Sequence, residues 1–185
     1  MGALELGLLA AMCWGFHDVC VRFISQKTPI SACIFIVLMV GLIFHICLMM
    51  PSKEISTITK AAFTYASIAG VSFVIASFSL YYAFKRGPVK LVAPLIASYP
   101  ILSITWAIWI GTPVSKLQIL AVLAIILGVS IVAIMSDNSE EEIPPIGKTI
   151  ALSIVAAIAF ACTFALGQAA AELSPHMSAT LVTRI

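Results

Sequence analysis

Six apolar stretches follow one another along this chain, separated by short polar gaps. Each is close to the roughly twenty residues that a helix needs to cross a hydrocarbon core. They cover about residues 3–24, 30–50, 61–84, 88–110, 117–135 and 149–171, and a seventh stretch starts near residue 177. Backbone facing lipid must satisfy its own hydrogen bonds, which leaves helices or a closed barrel. Barrel strands alternate apolar and polar residues. The stretch ILAVLAIILGVSIVAI, Ile119 to Ile134, shows no alternation. The expected fold is all-α: a multi-pass helical bundle integral to a membrane, with the lipid bilayer as its first partner.

Composition narrows the function classes. Charged residues make up 10 % of the chain and hydrophobic ones 62 %, against roughly 25 % charged in a soluble domain. So few charges cannot cover a water-soluble surface, which excludes a soluble enzyme and a disordered chain. A net charge of +2 is too small to neutralise phosphates, so no nucleic acid is expected as a partner. Cys13, Cys20, Cys33, Cys47 and Cys162 lie in apolar runs and form no CxxC pair. They read as buried small hydrophobes, with no metal site and no cofactor. The first run lacks a basic leader and carries Glu5, His17 and Asp18, unlike a signal peptide. No HExxH, GxSxG or P-loop motif is present, so no enzyme is expected.

Most gaps are too short for anything but antiparallel neighbours. The exception is SDNSEEEIPPIG, residues 136–147, which combines four acidic residues and two prolines and reads as a linker. It divides residues 1–135, a five-helix unit, from residues 148–185. The second part resembles the start of the first. Sliding the chain by 146 residues puts Pro29 on Pro175, Trp14 on Phe160 and Arg22 on Gln168. A repeated unit with an odd number of helices reverses its direction in the membrane, the inverted repeat of secondary transporters. The expectation is thus a five-helix inverted repeat whose second copy is incomplete in these residues. Such a piece should insert without transporting.

The residues also resemble a known family. Leu8 to Phe23, LLAAMCWGFHDVCVRF, carries a central Trp14-Gly15. Ser79 to Gly111 reads SLYYAFKRGPVKLVAPLIASYPILSITWAIWIG, and Gln118 to Ile134 holds Gly128. These segments resemble the first helix, the third and fourth helices and the fifth helix of EamA-type members of the drug/metabolite transporter superfamily. Many members have Glu after the glycine that ends the fourth helix; Thr112 stands there in this chain. The resemblance implies a ten-helix carrier with cytoplasmic termini and a central cavity for a small-molecule substrate.

Charged groups within membrane helices cost about 2.5–3.5 kcal/mol each near the centre and so need a reason. Asp18 and Arg22 are four apart, one turn from each other on the first helix, with Trp14 a turn earlier. They read either as a substrate-facing stripe or as a self-neutralising pair with Arg22 snorkelling outward. His17 points about 100° from Asp18 and reads as a proton carrier or as a hydrogen-bonded packing residue. His45 reads as packing. Pro88, Pro94 and Pro100 recur every six residues in the fourth run, where proline kinks helices; Pro94 is the cavity candidate. Tyr81 and Tyr99 are the aromatic candidates, while Tyr82, Trp106 and Trp109 suit the interfacial belt. Gln168 joins the set through the repeat. Ala66 and Gly70 form a small-xxx-small pair suited to close helix contact, including contact in a homo-oligomer.

The function expected is a secondary carrier that exports small polar or amphipathic metabolites by alternating access. It is expected in the cell membrane, of bacterial inner-membrane type. The alternative is a non-transporting membrane protein, an assembly partner or an inactive truncated paralogue. Orientation is pulled two ways. With the N-terminus cytoplasmic, the inner loops hold Lys53, Lys60 and Lys116, and the outer side holds Arg22, Lys27, Lys85, Arg86, Lys90 and Lys148. The positive-inside rule favours the reverse.

Overall fold

The computed structural model describes residues 2–50, 58–135 and 146–185, and among them every regular element is helical. The elements are α1 (Ala3–Lys27), α2 (Ile30–Met49), α3 (Lys60–Arg86), α4 (Val89–Ile96), α5 (Tyr99–Trp109), α6 (Lys116–Met135), α7 (Ile146–Leu173) and α8 (His176–Arg184). Among the described residues five segments are long and apolar enough to cross a membrane: Glu5–Lys27, Ile30–Met49, Lys60–Arg86, Val89–Trp109 and Ile146–Leu173. The chain is a multi-pass membrane protein. Most of the expected linker lies outside the described residues, but Ile146 and Gly147, assigned to it from the sequence, belong to α7. A helix in lipid keeps its hydrogen-bond ladder going until partners for its last groups are available, so polar residues such as Lys27 and Arg86 are absorbed into the helix ends.

Local sequence sets the ends. Thr59 caps α3, its hydroxyl accepting from the Ala62 amide at 3.2 Å. Ser115 and Gln118 form a reciprocal capping box at the start of α6, with bonds of 3.2 and 2.8 Å. The fourth apolar run is one span but two helices. Ala97 and Ser98 form a turn between α4 and α5, Pro100 sits in the first turn of α5, and the Ser98 hydroxyl donates to the Leu95 carbonyl. Proline lacks the amide that would carry the ladder across this point. The sequence expectation of kinks thus becomes a break, centred between Pro94 and Pro100. At the far end of α5, Gly111 adopts φ +78°, and Thr112 and Gly111 donate back to the carbonyls of Ala107 and Ile108. This is the Schellman closure, which favours glycine at that position.

The largest interface joins α3 to α7. The two run antiparallel: Thr59 at the start of α3 bonds the Leu173 carbonyl at the end of α7 and Ser174 just beyond it, while Gly87 at the other end lies against Thr149. The seam is built of small residues. Ala62, Ala66, Ala69, Ala76 and Ala83 of α3 and Ala156 and Ala170 of α7 have no exposed surface, and Thr163 of α7 donates to the Ala69 carbonyl at 3.4 Å. Without a hydrophobic drive between helices in lipid, close backbone approach of this kind supplies the attraction. The Ala66–Gly70 face is therefore occupied within the chain. Ala66 clusters with Ala62, Ala170 and Ala179, and a Cβ on Gly70 would sit 2.8 Å from the Thr183 carbonyl oxygen. It is not the open contact for a second copy that the sequence suggested.

The cysteines need a similar correction. Cys33 is buried, but Cys13, Cys47 and Cys162 lie on outward faces. Outward in this bundle means toward the apolar bilayer, so a hydrophobic residue gains nothing by being covered with protein. His45 does pack as expected: its Nε2 donates to the Met177 carbonyl at 2.9 Å, tying α2 to α8.

Side chains of α1 close the end of α3. Arg22 donates to the Phe84 carbonyl at 2.6 Å and Gln26 to the Lys85 carbonyl at 3.1 Å. These carbonyls belong to the last turn, which has no helical partner of its own, and a cation there also meets the negative end of the helix dipole. The same end of the bundle carries Lys27, Lys85, Arg86, Lys90 and Lys148.

Two measurements probe this packing. Ala66→Leu should overpack the seam and cost roughly 1–3 kcal/mol, lowering the unfolding temperature in detergent, whereas Val71→Leu on the exposed face of α3 should leave it unchanged. Equal effects would contradict the seam. Arg22→Leu should expose the last carbonyls of α3 and speed amide exchange at Gly87 by about tenfold, the equivalent of roughly 1.4 kcal/mol. Unaltered exchange would remove Arg22 from the cap.

Candidate functional site

Near the middle of α1 three side chains meet those of α3 and α7. His17 Nδ1 lies 3.1 Å from Asp18 Oδ1, and His17 Nε2 lies 3.3 Å from the Tyr81 hydroxyl of α3. A carboxylate only accepts, so the Nδ1 proton points to Asp18 and Nε2 faces Tyr81. The 100° between neighbouring residues on a helix does not separate His17 from Asp18, because both side chains reach toward the same gap. They are 29 % and 30 % exposed, whereas Tyr81 is buried.

Aromatic rings wall this polar chain. Trp14 packs edge-on against His17 at 5.3 Å and against Phe160 of α7 at 5.9 Å. His17 in turn stands edge-on to Tyr81 at 5.9 Å. Phe160 is also met by Phe73 and Tyr99, and Tyr99 by Phe164 at 5.3 Å. Edge-to-face contacts of this sort are favoured by the ring quadrupole. Between the walls is a cavity of about 20 Å³, bordered by Trp14, His17, Ser77, Tyr81 and Phe160 among others. That is room for about one water molecule.

Of the sequence candidates, Trp14, His17, Asp18 and Tyr81 come together here, and Tyr99 reaches the assembly through Phe160. Arg22 is on the same side of α1 but serves the α3 terminus. Gln168 is exposed and donates to Glu172 of its own helix at 3.0 Å, and Pro94 sits within α4 without bordering the cavity. Phe160, Phe73 and Ser77 were missed from the sequence. Phe160 alone left a trace there, as the residue that the 146-residue offset places on Trp14. Apolar residues in apolar helices otherwise give no signal.

No group of three or more metal-ligating side chains occurs among the described residues. The assembly brings together an ionisable pair, a phenol and flat apolar surfaces, and such surfaces can accept aromatic or cationic groups.

The model of the EamA-like transporter family matches residues 1–134. The chain is also 29 % identical over 133 residues to an uncharacterized protein of Methanocaldococcus jannaschii, a match covering 71 % of this chain and 96 % of that one. No solved structure matches. A family model spanning most of the chain, on an all-helical membrane bundle, leads to one conclusion: this protein belongs to the EamA-like transporter family.

Proposed function

We propose that the protein is a secondary carrier that exports small polar or amphipathic metabolites across the cell membrane by alternating access. The observation that carries this reading is the assembly at mid-bundle, where Asp18, His17 and Tyr81 are held within hydrogen-bond reach inside an aromatic wall. Groups this costly inside a membrane are retained where solutes or ions pass. The water-sized cavity fits a closed conformation, in which α1 and α7 would have to part before a metabolite could enter.

Three observations support two repeated units as the framework. α1 ends at Lys27 and α7 at Leu173, and α2 and α8 begin at Ile30 and His176 with prolines at their caps. All of these boundaries share the offset of 146 residues. Trp14 touches Phe160, its counterpart under that offset, and equivalent residues of a two-fold arrangement meet only beside the axis. The relative from Methanocaldococcus jannaschii is matched over 96 % of its length by 133 residues, about the length of one such unit. Binding at the interface of inverted units is where carriers place their solutes. Trp14, Asp18, Tyr81 and Tyr99 are the residues proposed to face the solute.

Proteoliposomes containing the natural full-length product, loaded with a panel of amino acids and amines, test the reading. Saturable efflux of at least one solute is expected. Asp18→Asn should lower it by about tenfold or more, equivalent to roughly 1.4 kcal/mol lost at the site, with insertion unchanged. No flux above protein-free vesicles would favour a non-transporting assembly partner.

A further inference from the structure

We infer that His17 is a proton-binding site within the membrane, and that its proton sets the sense of the hydrogen bond linking α1 to α3. The neutral imidazole donates from Nδ1 to the Asp18 carboxylate and accepts from the Tyr81 hydroxyl at Nε2, across gaps of 3.1 and 3.3 Å. A proton arriving from water fills the Nε2 lone pair. The new N–H then donates to the Tyr81 oxygen, and the phenol hydrogen, displaced from that bond, turns elsewhere. The adjoining cavity provides the place: about 20 Å³, enough for one water, with the Ser77 side chain on its border. No bond other than N–H forms or breaks, and on release the proton returns to water.

The charge arithmetic favours such a site in lipid. Deprotonated, the His17–Asp18 pair carries the full carboxylate charge; protonated, it is a contact ion pair with no net charge. An opposite charge within hydrogen-bond distance stabilises the imidazolium, and the Asp18 carboxylate lies 3.1 Å from the ring. The groups that face it come from several elements. Asp18 and, one turn on, Arg22 are on α1 itself, the latter engaged with the Phe84 carbonyl. Tyr81 comes from α3, the buried Cys33 of α2 shares a buried cluster with Tyr81, and α7 presents the uncharged ring of Phe160 to Trp14. His17 borders the water-sized cavity, which gives the ring a neighbouring place for the water that delivers the proton. If the carrier reading above holds, this proton is the coupling ion; the binding site itself does not rest on that reading.

The neighbouring indole reports on the proton directly. Trp14 stands 5.3 Å from the His17 ring, and an imidazolium at that distance quenches indole fluorescence where neutral imidazole does not. The experiment uses the full chain in lipid nanodiscs with Trp106→Phe and Trp109→Phe, leaving Trp14 as the fluorophore, and needs no transported solute. A single sigmoidal loss of emission on acidification is expected, and His17→Gln should flatten it. Asp18→Asn should displace the transition, because the charge paired with the imidazolium is gone. A residue that only packs would give no midpoint to move. Nitrogen-15 imidazole spectra of the same samples identify the protonated ring independently of fluorescence, so a poorly folded variant does not decide the outcome. Emission that is flat with pH, or that still titrates in His17→Gln, would overturn the assignment. So would an unmoved midpoint in Asp18→Asn. Any of these results would leave the flux experiment standing.

Discussion

Alanine sets the geometry of this bundle. Two helices in lipid have no water to escape by associating, so they adhere through close packing, and closeness is limited by the side chains between them. The α3–α7 seam keeps those side chains at a single methyl at Ala62, Ala66, Ala69, Ala76 and Ala83 on one helix and at Ala156 and Ala170 on the other. The backbones approach far enough for the Thr163 hydroxyl to reach a carbonyl of α3. Everything at mid-membrane follows from that approach. Tyr81 lies between Ala76 and Ala83 along α3, and Phe160 lies among Ala156, Ala157, Ala159 and Ala161 on α7. Phe160 projects from small neighbours, Tyr81 from a cluster with Leu80 and Phe84, and α1 lays Trp14 and His17 against them.

The seam also explains how a polar chain survives here. An isolated carboxylate and imidazole on a lipid-facing helix would bear the full insertion cost. Tyr81 gives the imidazole a partner from a second helix, and Asp18 gives it one from its own. A phenol is well suited to this place because its ring packs with Leu80, Ala83 and Phe84 in the same buried cluster while its hydroxyl remains available to bond. The aromatic wall then limits the space left for water to about one molecule.

Much of the fold was readable from apolar run length, because lipid reduces the choice of backbone structure to one. Helix starts and stops followed wherever a local chemical device fixes them, as at Thr59, Ser115 and Gly111. The split of α4 from α5 was half-readable: Pro94 and Pro100 announced trouble in the ladder, but whether proline kinks or breaks a helix depends on the local turn, here one in which the Ser98 hydroxyl donates to the Leu95 carbonyl. The polar members of the candidate assembly stand out in the sequence because charge inside an apolar run is conspicuous. Phe160 and Phe73 were not, since nothing separates a ring that walls a cavity from one that faces lipid. The same blindness misplaced the cysteines, and it left the Ala66–Gly70 face without its true occupant, which comes from more than a hundred residues away in α7 and α8.

One stripe on α1 shows why residues at equal spacing do unequal work. Trp14, Asp18, Arg22 and Gln26 recur every four residues, but a helix turns once in 3.6, so each step advances the direction by roughly 40°. Over three steps the stripe winds through about a third of a turn. Trp14 at its start faces Phe160 of α7. Asp18 and its neighbour His17 face the gap toward Tyr81 of α3, and Arg22 and Gln26 have rotated onto the exposed carbonyls at the end of α3. Depth changes along with direction. The first two positions lie near the middle of α1, where a charge is costly and must have a partner, and the last two lie toward its end, where long side chains reach the interface. A polar stripe that looked uniform in the sequence thus divides into a mid-membrane half that builds the site and a terminal half that fastens the helix carrying it. Arg22 contributes to the site by holding the last turn of α3, one turn beyond Tyr81.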